Sequence, residues 1–155
     1  MRFHLPRRPV GLARSSIAIA VIVIACTSPT RASAADLVVR VSGIAAAAGE
    51  VGCALFTAPE GFPGDDAVAR RVRLPADPAG VTCRFPDVPA GRYAVAVSHD
   101  ANGNRKLDTN LVGMPTEAWG VSNNARPTLR APRFDEARFE LVDGRETVID
   151  VRVIK

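Results

Sequence analysis

The sequence predicts an all-β protein, an antiparallel sandwich of seven strands with one long ordered loop, behind an N-terminal signal helix that is cleaved on export. Three observations carry this reading. Short segments alternate apolar and polar residues with period two, the pattern of a strand with one buried face. Glycine and proline turn signals separate those segments at the spacing of an antiparallel sandwich. Beyond the leader, no stretch carries the apolar period of an amphipathic helix.

The leader comes first. Residues 1–14 carry Arg2, Arg7, Arg8 and Arg14, and residues 17–25 are an uninterrupted apolar run that is too short to cross a bilayer alone. Ala32-Ser33-Ala34 supplies the small-x-small pattern of a signal-peptidase site, so the signal is expected over 1–34 and a single domain over 35–155. A competing pattern, Val23-Ile24-Ala25-Cys26, is that of a bacterial lipoprotein and would anchor the chain to the outer membrane through Cys26. Ordinary cleavage is preferred, because a strand begins directly after Ala34.

Charge follows the same division. The chain has 20 Lys+Arg and 16 Asp+Glu, a formal +4. Arg2, Arg7, Arg8, Arg14 and Arg31 lie in the leader, which has no acid, leaving 20 − 5 = 15 bases against 16 acids, a net −1. Such a domain has no global field for nucleic acid, and at about 120 residues it is too small for a multidomain enzyme. The expected protein is periplasmic or secreted, monomeric, and without a transmembrane segment in its mature chain.

The strands follow in order. In 37–43, Leu37, Val39 and Val41 face one way, with Arg40 and Ser42 opposite; in 51–57, Val51, Cys53 and Leu55 share a phase. Segment 68–74 sets Val68, Val72 and Leu74 against Arg71 and Arg73, and 81–85 sets Val81, Cys83 and Phe85 against Thr82 and Arg84. Segment 92–99 alternates Tyr93, Val95 and Val97 with Ala94, Ala96 and Ser98. Segments 137–142 and 147–154 complete the set, the last with Ile149, Val151 and Val153 on one face. The arrangement is that of an immunoglobulin-like sandwich. Losing Cys26 with the leader leaves Cys53 and Cys83, both in the apolar phase of their strands, and in an oxidising compartment they are expected to bond across the core.

Between the fifth and sixth of these strands lies a loop, 100–136, whose length points to function or disorder. Leu107, Leu111, Val112, Met114, Trp119 and Val121 provide apolar surface to hold it down. It opens with Asp100, Asn102, Asn104 and Asp108 at positions 1, 3, 5 and 9 of a calcium-type loop, with the Lys106 carbonyl at position 7. Arg105 stands where such a loop turns on glycine, and Glu117 is the acid available to complete the shell. Two readings stay open: a calcium site, or an Asx-turn ladder in which the same side chains bond neighbouring backbone N–H groups without metal.

The run His99-Asp100-x-Asn102-Gly103-Asn104-x-Lys106-Leu107-Asp108-Thr109-Asn110, followed by Gly113-x-Pro115-x-Glu117 and Gly120-x-Ser122-Asn123-Asn124, resembles the bacterial secreted family called domain of unknown function 2141. Glu60-Gly61-Phe62-Pro63, Pro89-Ala90-Gly91-x-Tyr93-Ala94 and Pro132-x-Phe134-x-x-Ala137 fit the same pattern, over nearly the whole mature chain. Arg105 departs from it where the family has glycine, and Val121 where it tends to an aromatic. The resemblance implies an exported β domain similar to transthyretin-like and carboxypeptidase-regulatory-like sandwiches, and no established activity.

Chemistry-bearing residues are few. His99 is the only histidine after the leader, which excludes a multi-histidine metal centre and reads as a strand-end ring bonded into the loop. Ser122 lies in no nucleophile elbow, so a Ser122/His99/Asp100 triad is disfavoured. Trp119 is either a stacking platform or an anchor for the loop, and with His99, Asn123 and Asn124 it makes the candidate ligand-binding set. Arg70, Arg71 and Arg73 read as protection of an edge strand. The expected function is a non-enzymatic envelope module, binding a protein or polysaccharide through the segment from Asp100 to Asn124. The alternatives are a small hydrolase of an envelope polymer using Asp100, Asp108 and Glu117, or a lipid-anchored structural protein.

Overall fold

The computed structural model describes residues 34–111, 115–128 and 130–155; residues 1–33 of the expected export signal, Cys26 among them, and the loop residues Val112 and Met114 lie outside them. The chain builds β1 (Ala35–Ser42), β2 (Glu50–Phe56), β3 (Arg70–Pro75), β4 (Val81–Val88), β5 (Gly91–Asp100), β6 (Ala118–Val121), a single helical turn α1 (Phe134–Ala137), β7 (Phe139–Leu141) and β8 (Thr147–Arg152). They form two sheets, one in the order β4-β1-β8 and one in the order β3-β2-β5-β6 with β7 also beside β5. An all-β sandwich is therefore present, with two corrections. It has one strand more than expected, because β6 lies inside the long loop, where Ala-Trp-Gly-Val offers a glycine and no polar alternation. It is also not wholly antiparallel, since β8 runs parallel to β1.

The main core lies between the sheets. Leu37, Val39 and Val41 of β1, Phe85 of β4 and Val151 of β8 meet Val51 and Leu55 of β2 and Val95 and Val97 of β5. These are the residues that period-two alternation sends inward. Cys53 of β2 and Cys83 of β4 bond across the same layer, joining the two sheets as their parity requires.

The five-stranded sheet also buries part of its outer face. Ala54, Phe56, Ala94 and Val121 pack there against Phe134 and Ala137 of α1. Phe62 stands edge-on to both Phe56 and Phe134, with ring centroids 5.2 Å and 5.9 Å away, the geometry that ring quadrupoles favour. β2 and β5 thus lose alternation at that end because both of their faces are covered. The Glu136 carboxylate secures α1: it accepts the Arg133 backbone N–H at 2.8 Å and the fork of the Arg130 guanidinium. The Arg130 hydrogen bond, then that of Arg133, lowers the Glu136 pKa from 4.5 to about 2.

At the opposite edge the chain end leaves β8 and crosses between the sheets. Val153 N–H donates to Ser42, while Ile154 exchanges both backbone hydrogen bonds with Trp119 of β6, at 3.0 and 3.1 Å. The crossing is so close that a Cβ at Gly120 would lie 2.4 Å from the Arg152 carbonyl oxygen. Only glycine fits.

Two measurements check this layer of the structure. The Cys53–Cys83 loop, with a sequence separation of 30, should contribute about 3–4 kcal/mol by the chain-entropy model. Reducing it should lower Tm by roughly 10–15 °C in a domain of this size. Thiol titration of the denatured, unreduced domain from residue 35 onward should find no free cysteine; two reactive thiols would contradict the bridge. For Glu136, the ionised form is the one bonded in the fold, so its contribution is full above the ordinary 4.5 and is lost as pH falls toward 2. Glu136→Gln should therefore cause a small Tm loss at neutral pH that vanishes in acid, whereas a pH-independent loss would mean the carboxylate charge is irrelevant.

Candidate functional site

Asp100, the last residue of β5, is only 2% exposed. The turn before β2 presses on it: a Cβ at Gly49, whose φ is +76°, would sit 1.9 Å from the Asp100 carbonyl oxygen. His99 lies on the core side of β5 with Nε2 2.9 Å from the Ala48 carbonyl oxygen, which tethers the same turn. The buried carboxylate then organises the loop. Its Oδ1 accepts the N–H groups of Gly103 and Asn104 at 2.8 and 3.1 Å, and its Oδ2 accepts that of Arg105 at 2.6 Å.

The remaining oxygens continue the pattern. Asn102 Oδ1 accepts Asn104 N–H and Asn104 Oδ1 accepts Lys106 N–H, while both amide nitrogens donate to Asp108, at 2.7 and 2.9 Å. Glu117 closes the ring from the far end. One of its oxygens takes Ala101 N–H and the other Asp108 N–H, each at 3.1 Å. The structure thus brings Asp100, Asn102, Asn104, Asp108 and Glu117 into one network, of the Asx-ladder kind. Every carboxylate oxygen of Asp100, Asp108 and Glu117 accepts an N–H. Among the described residues, no group of three or more His, Cys, Asp or Glu side chains is placed to hold a metal ion.

Ser122, Asn123 and Asn124 serve as backbone clasps. The Ser122 hydroxyl is fully buried, accepts Val95 N–H at 2.9 Å and donates to the Ala137 carbonyl. Asn123 donates to the carbonyls of Glu136 and Arg138, and Asn124 bonds Asp150 and Arg152 of β8. Asn123 and Asn124 hold φ of 60° and 50°, a left-handed conformation that asparagine tolerates better than most residues.

A cleft of about 450 Å³ opens on the outer face of the five-stranded sheet, beyond the aromatic cluster. Strand register explains it. Arg73 of β3 pairs with Gly52 of β2, Gly52 with Ser98 of β5, and Ser98 with Trp119 of β6; beside that row runs Arg71, Ala54, Ala96 and Val121. The middle strands offer glycine, alanine and serine, while the flanks carry arginines on one side and an indole on the other. A low floor between tall walls results, and the loop residues Arg105, Lys106, Leu107 and Thr109 rim it. The Arg73 guanidinium leans over the floor, with Nη1 3.5 Å from where a Cβ on Gly52 would stand.

Trp119 is half-buried on β6, and Arg126 lies 5.1 Å from its ring centroid. Arg126 borders a smaller cleft of about 160 Å³ that shares Trp119 with the larger one. Of the candidate ligand-binding residues, Trp119 alone lines the main cleft; His99 faces the core, and the two asparagines hold backbone. Sequence reasoning found Arg71 and Arg73 but took them for edge protection. The missing signal was the small residues Gly52, Ala96 and Ser98 in the outward phase of two adjacent strands.

Fold and site together define a small β-sandwich module with a cleft on one sheet and a hydrogen-bonded loop at its rim. Residues 39–150 match the model of the family described as an uncharacterized protein conserved in bacteria, DUF2141, and the chain belongs to that family. No curated protein and no solved structure matches it significantly.

Removing Glu117 leaves two partly buried loop N–H donors without their acceptor, so Glu117→Ala should cost about 1 kcal/mol and lower Tm by a few degrees. An unchanged Tm would show that the ladder closes without it. Calcium takes six to eight oxygens, and a carboxylate oxygen that accepts one N–H keeps a second lone pair for an ion. Tm in millimolar calcium against chelator tests the ion: a rise with calcium would establish the site, and an unchanged Tm would leave the ladder metal-free.

Proposed function

We propose that the protein is an exported, non-enzymatic module of the bacterial cell envelope that binds a ligand in the cleft over its five-stranded sheet. The observation that carries this is the cross-strand row Arg73–Gly52–Ser98–Trp119, which makes a preformed concavity of the size small ligands occupy. Export is supported by the leader pattern and by an even cysteine pair placed to bond across the core. The loop from Asp100 to Asn124 acts as the rim and lateral support of the cleft, and its carboxylates are its internal fasteners. A binding role is preferred to hydrolysis because Asp100, Asp108 and Glu117 spend their oxygens on loop N–H groups, whereas a glycosidase needs two carboxyls facing one bond.

The test uses envelope polysaccharide fractions titrated into the mature protein, with emission of Trp119, the single tryptophan of the chain, as the reporter. A saturable change in emission, with no new reducing ends in the polymer, is the expected result. Release of reducing ends would make the protein a hydrolase, and no change with any fraction would remove the binding role.

A further inference from the structure

We infer that Asn102–Gly103 is a self-modification site, where the asparagine side chain closes on the next backbone nitrogen and loses ammonia, and that the hydrogen-bonded ladder of the loop holds this reaction off. The inference goes beyond the binding reading and needs no ligand in the cleft.

The pair is reactive by its chemistry. Asn102–Gly103 is the single Asn–Gly step in the sequence, and both residues are exposed. Glycine has no side chain to shield its nitrogen from the Cγ carbonyl carbon of the asparagine before it. Nothing else crowds the position, since a Cβ on Gly103 would meet no atom within 4 Å. In the reaction the Gly103 nitrogen attacks Asn102 Cγ: the N–Cγ bond forms, the Cγ–Nδ2 bond breaks, and the Gly103 proton leaves on the departing ammonia. Water then opens the cyclic imide at either carbonyl, leaving aspartate or isoaspartate at 102. Water is the only co-reactant.

The closed ladder opposes each part of that step. Gly103 N–H donates to Asp100 Oδ1 at 2.8 Å. Removing its proton would place an amide anion against a buried carboxylate, and like charges in contact oppose ionisation. The Asn102 amide is held at both ends, because its Oδ1 accepts Asn104 N–H at 3.0 Å and its Nδ2 donates to Asp108 Oδ2 at 2.7 Å. The side chain is thus committed to the residue two positions on, and its nitrogen faces an acceptor instead of a proton source. Reaction therefore waits on opening of the ladder, a local event that costs less than global unfolding.

Once it has occurred, the ladder cannot close again. The amide nitrogen at 102 is replaced by a carboxylate oxygen, which has no N–H for Asp108 and repels it. Isoaspartate also adds a carbon to the main chain before Gly103, displacing the N–H groups of Gly103, Asn104 and Arg105 that converge on Asp100. Arg105 and Lys106 then lose the turn that sets them on the cleft rim. The site is a latch that opens once.

The experiment incubates the domain from residue 35 onward at mildly alkaline pH, in buffer and in denaturing urea, and follows the peptide holding Asn102 by mass spectrometry. Conversion of amide to acid changes its mass, which isomerisation at Asp143–Gly144 does not. In urea, Asn102 should convert well ahead of Asn104, Asn110, Asn123 and Asn124; in buffer it should persist. Glu117→Ala removes the acceptor of Ala101 and Asp108 N–H and should speed the loss in buffer about fivefold, the rise in open population expected of that change. If that variant does not fold, sub-denaturing urea replaces it, and the rate in the native chain should climb before the global transition. The converted fraction, separated by its extra charge, should show fast hydrogen exchange at Gly103, Asn104 and Arg105, which the unconverted protein protects. Conversion at the same rate in buffer and in urea would overturn the guarding role of the ladder. An Asn102 that survives in urea would overturn the site itself, and slow exchange in the converted fraction would overturn the latch.

Discussion

One strand carries the architecture. β5 has ten residues and must satisfy its backbone on two edges: β2 covers one edge from Ala94 to Asp100, while the other is shared by β7 at Gly91–Tyr93 and β6 at Ala96–His99. Between those two short partners Val95 has no strand opposite it. Its N–H and carbonyl would be orphaned beneath the outer aromatic cluster, at a cost comparable to a lost hydrogen bond each. The Ser122 hydroxyl fills the gap, accepting from Val95 N–H and pointing its own proton to the Ala137 carbonyl, with the Val95 carbonyl 3.4 Å away. One side chain thereby fastens the end of β6 to the start of the α1–β7 segment, and the outer face of the sheet takes its shape from that junction.

The two halves of this face then diverge for steric reasons. Toward Phe56 and Ala94, the loop before β3 and the turn α1 lay Phe62 and Phe134 over the sheet and exclude water. Toward Gly52 and Ser98 no comparably large side chain rises from the middle strands, and the long side chains at the flanks stand around an unfilled floor. Filling the floor would have been easy, because a Cβ at Gly52 meets nothing nearer than the Ser98 hydroxyl at 3.4 Å and its backbone is not left-handed. Glycine is obligatory at Gly49 and Gly120, where backbone passes within bonding distance of a Cβ. At Gly52 it is a matter of leaving space.

This contrast also marks what the sequence could show. Alternation in β1, β2, β4 and β5 identified the inward residues and the parity of Cys53 and Cys83, because burial on one face imprints period two directly. β6 escaped notice since four residues with a glycine carry too little pattern. The parallel pairing of β8 with β1 was equally hidden, because alternation says which way side chains face and nothing about which neighbour lies alongside. In the loop, the residue types and their spacing were legible, but calcium ligation and an Asx ladder ask for the same oxygens. The bonds from Gly103, Asn104 and Arg105 N–H groups to Asp100 serve either, because each carboxylate oxygen keeps a lone pair for an ion. The cleft was least visible, since it is made by residues chosen for being small.

The loop and the cleft are nonetheless one construction. Asp100 pulls three successive N–H groups around its carboxylate, and that tight turn puts Arg105 into a left-handed conformation with Lys106 directly after it on the rim. Acids and bases alternate in sequence here, and their charges nearly cancel in any count. In space they separate: the carboxylates turn inward onto backbone donors, and the cations turn toward the opening. The acidic residues thereby set the place of two cations, Arg105 and Lys106, on the rim of the cleft. Without the carboxylates to fold the segment back on itself, Arg105 and Lys106 would have no fixed position relative to Arg71 and Arg73 on the far wall.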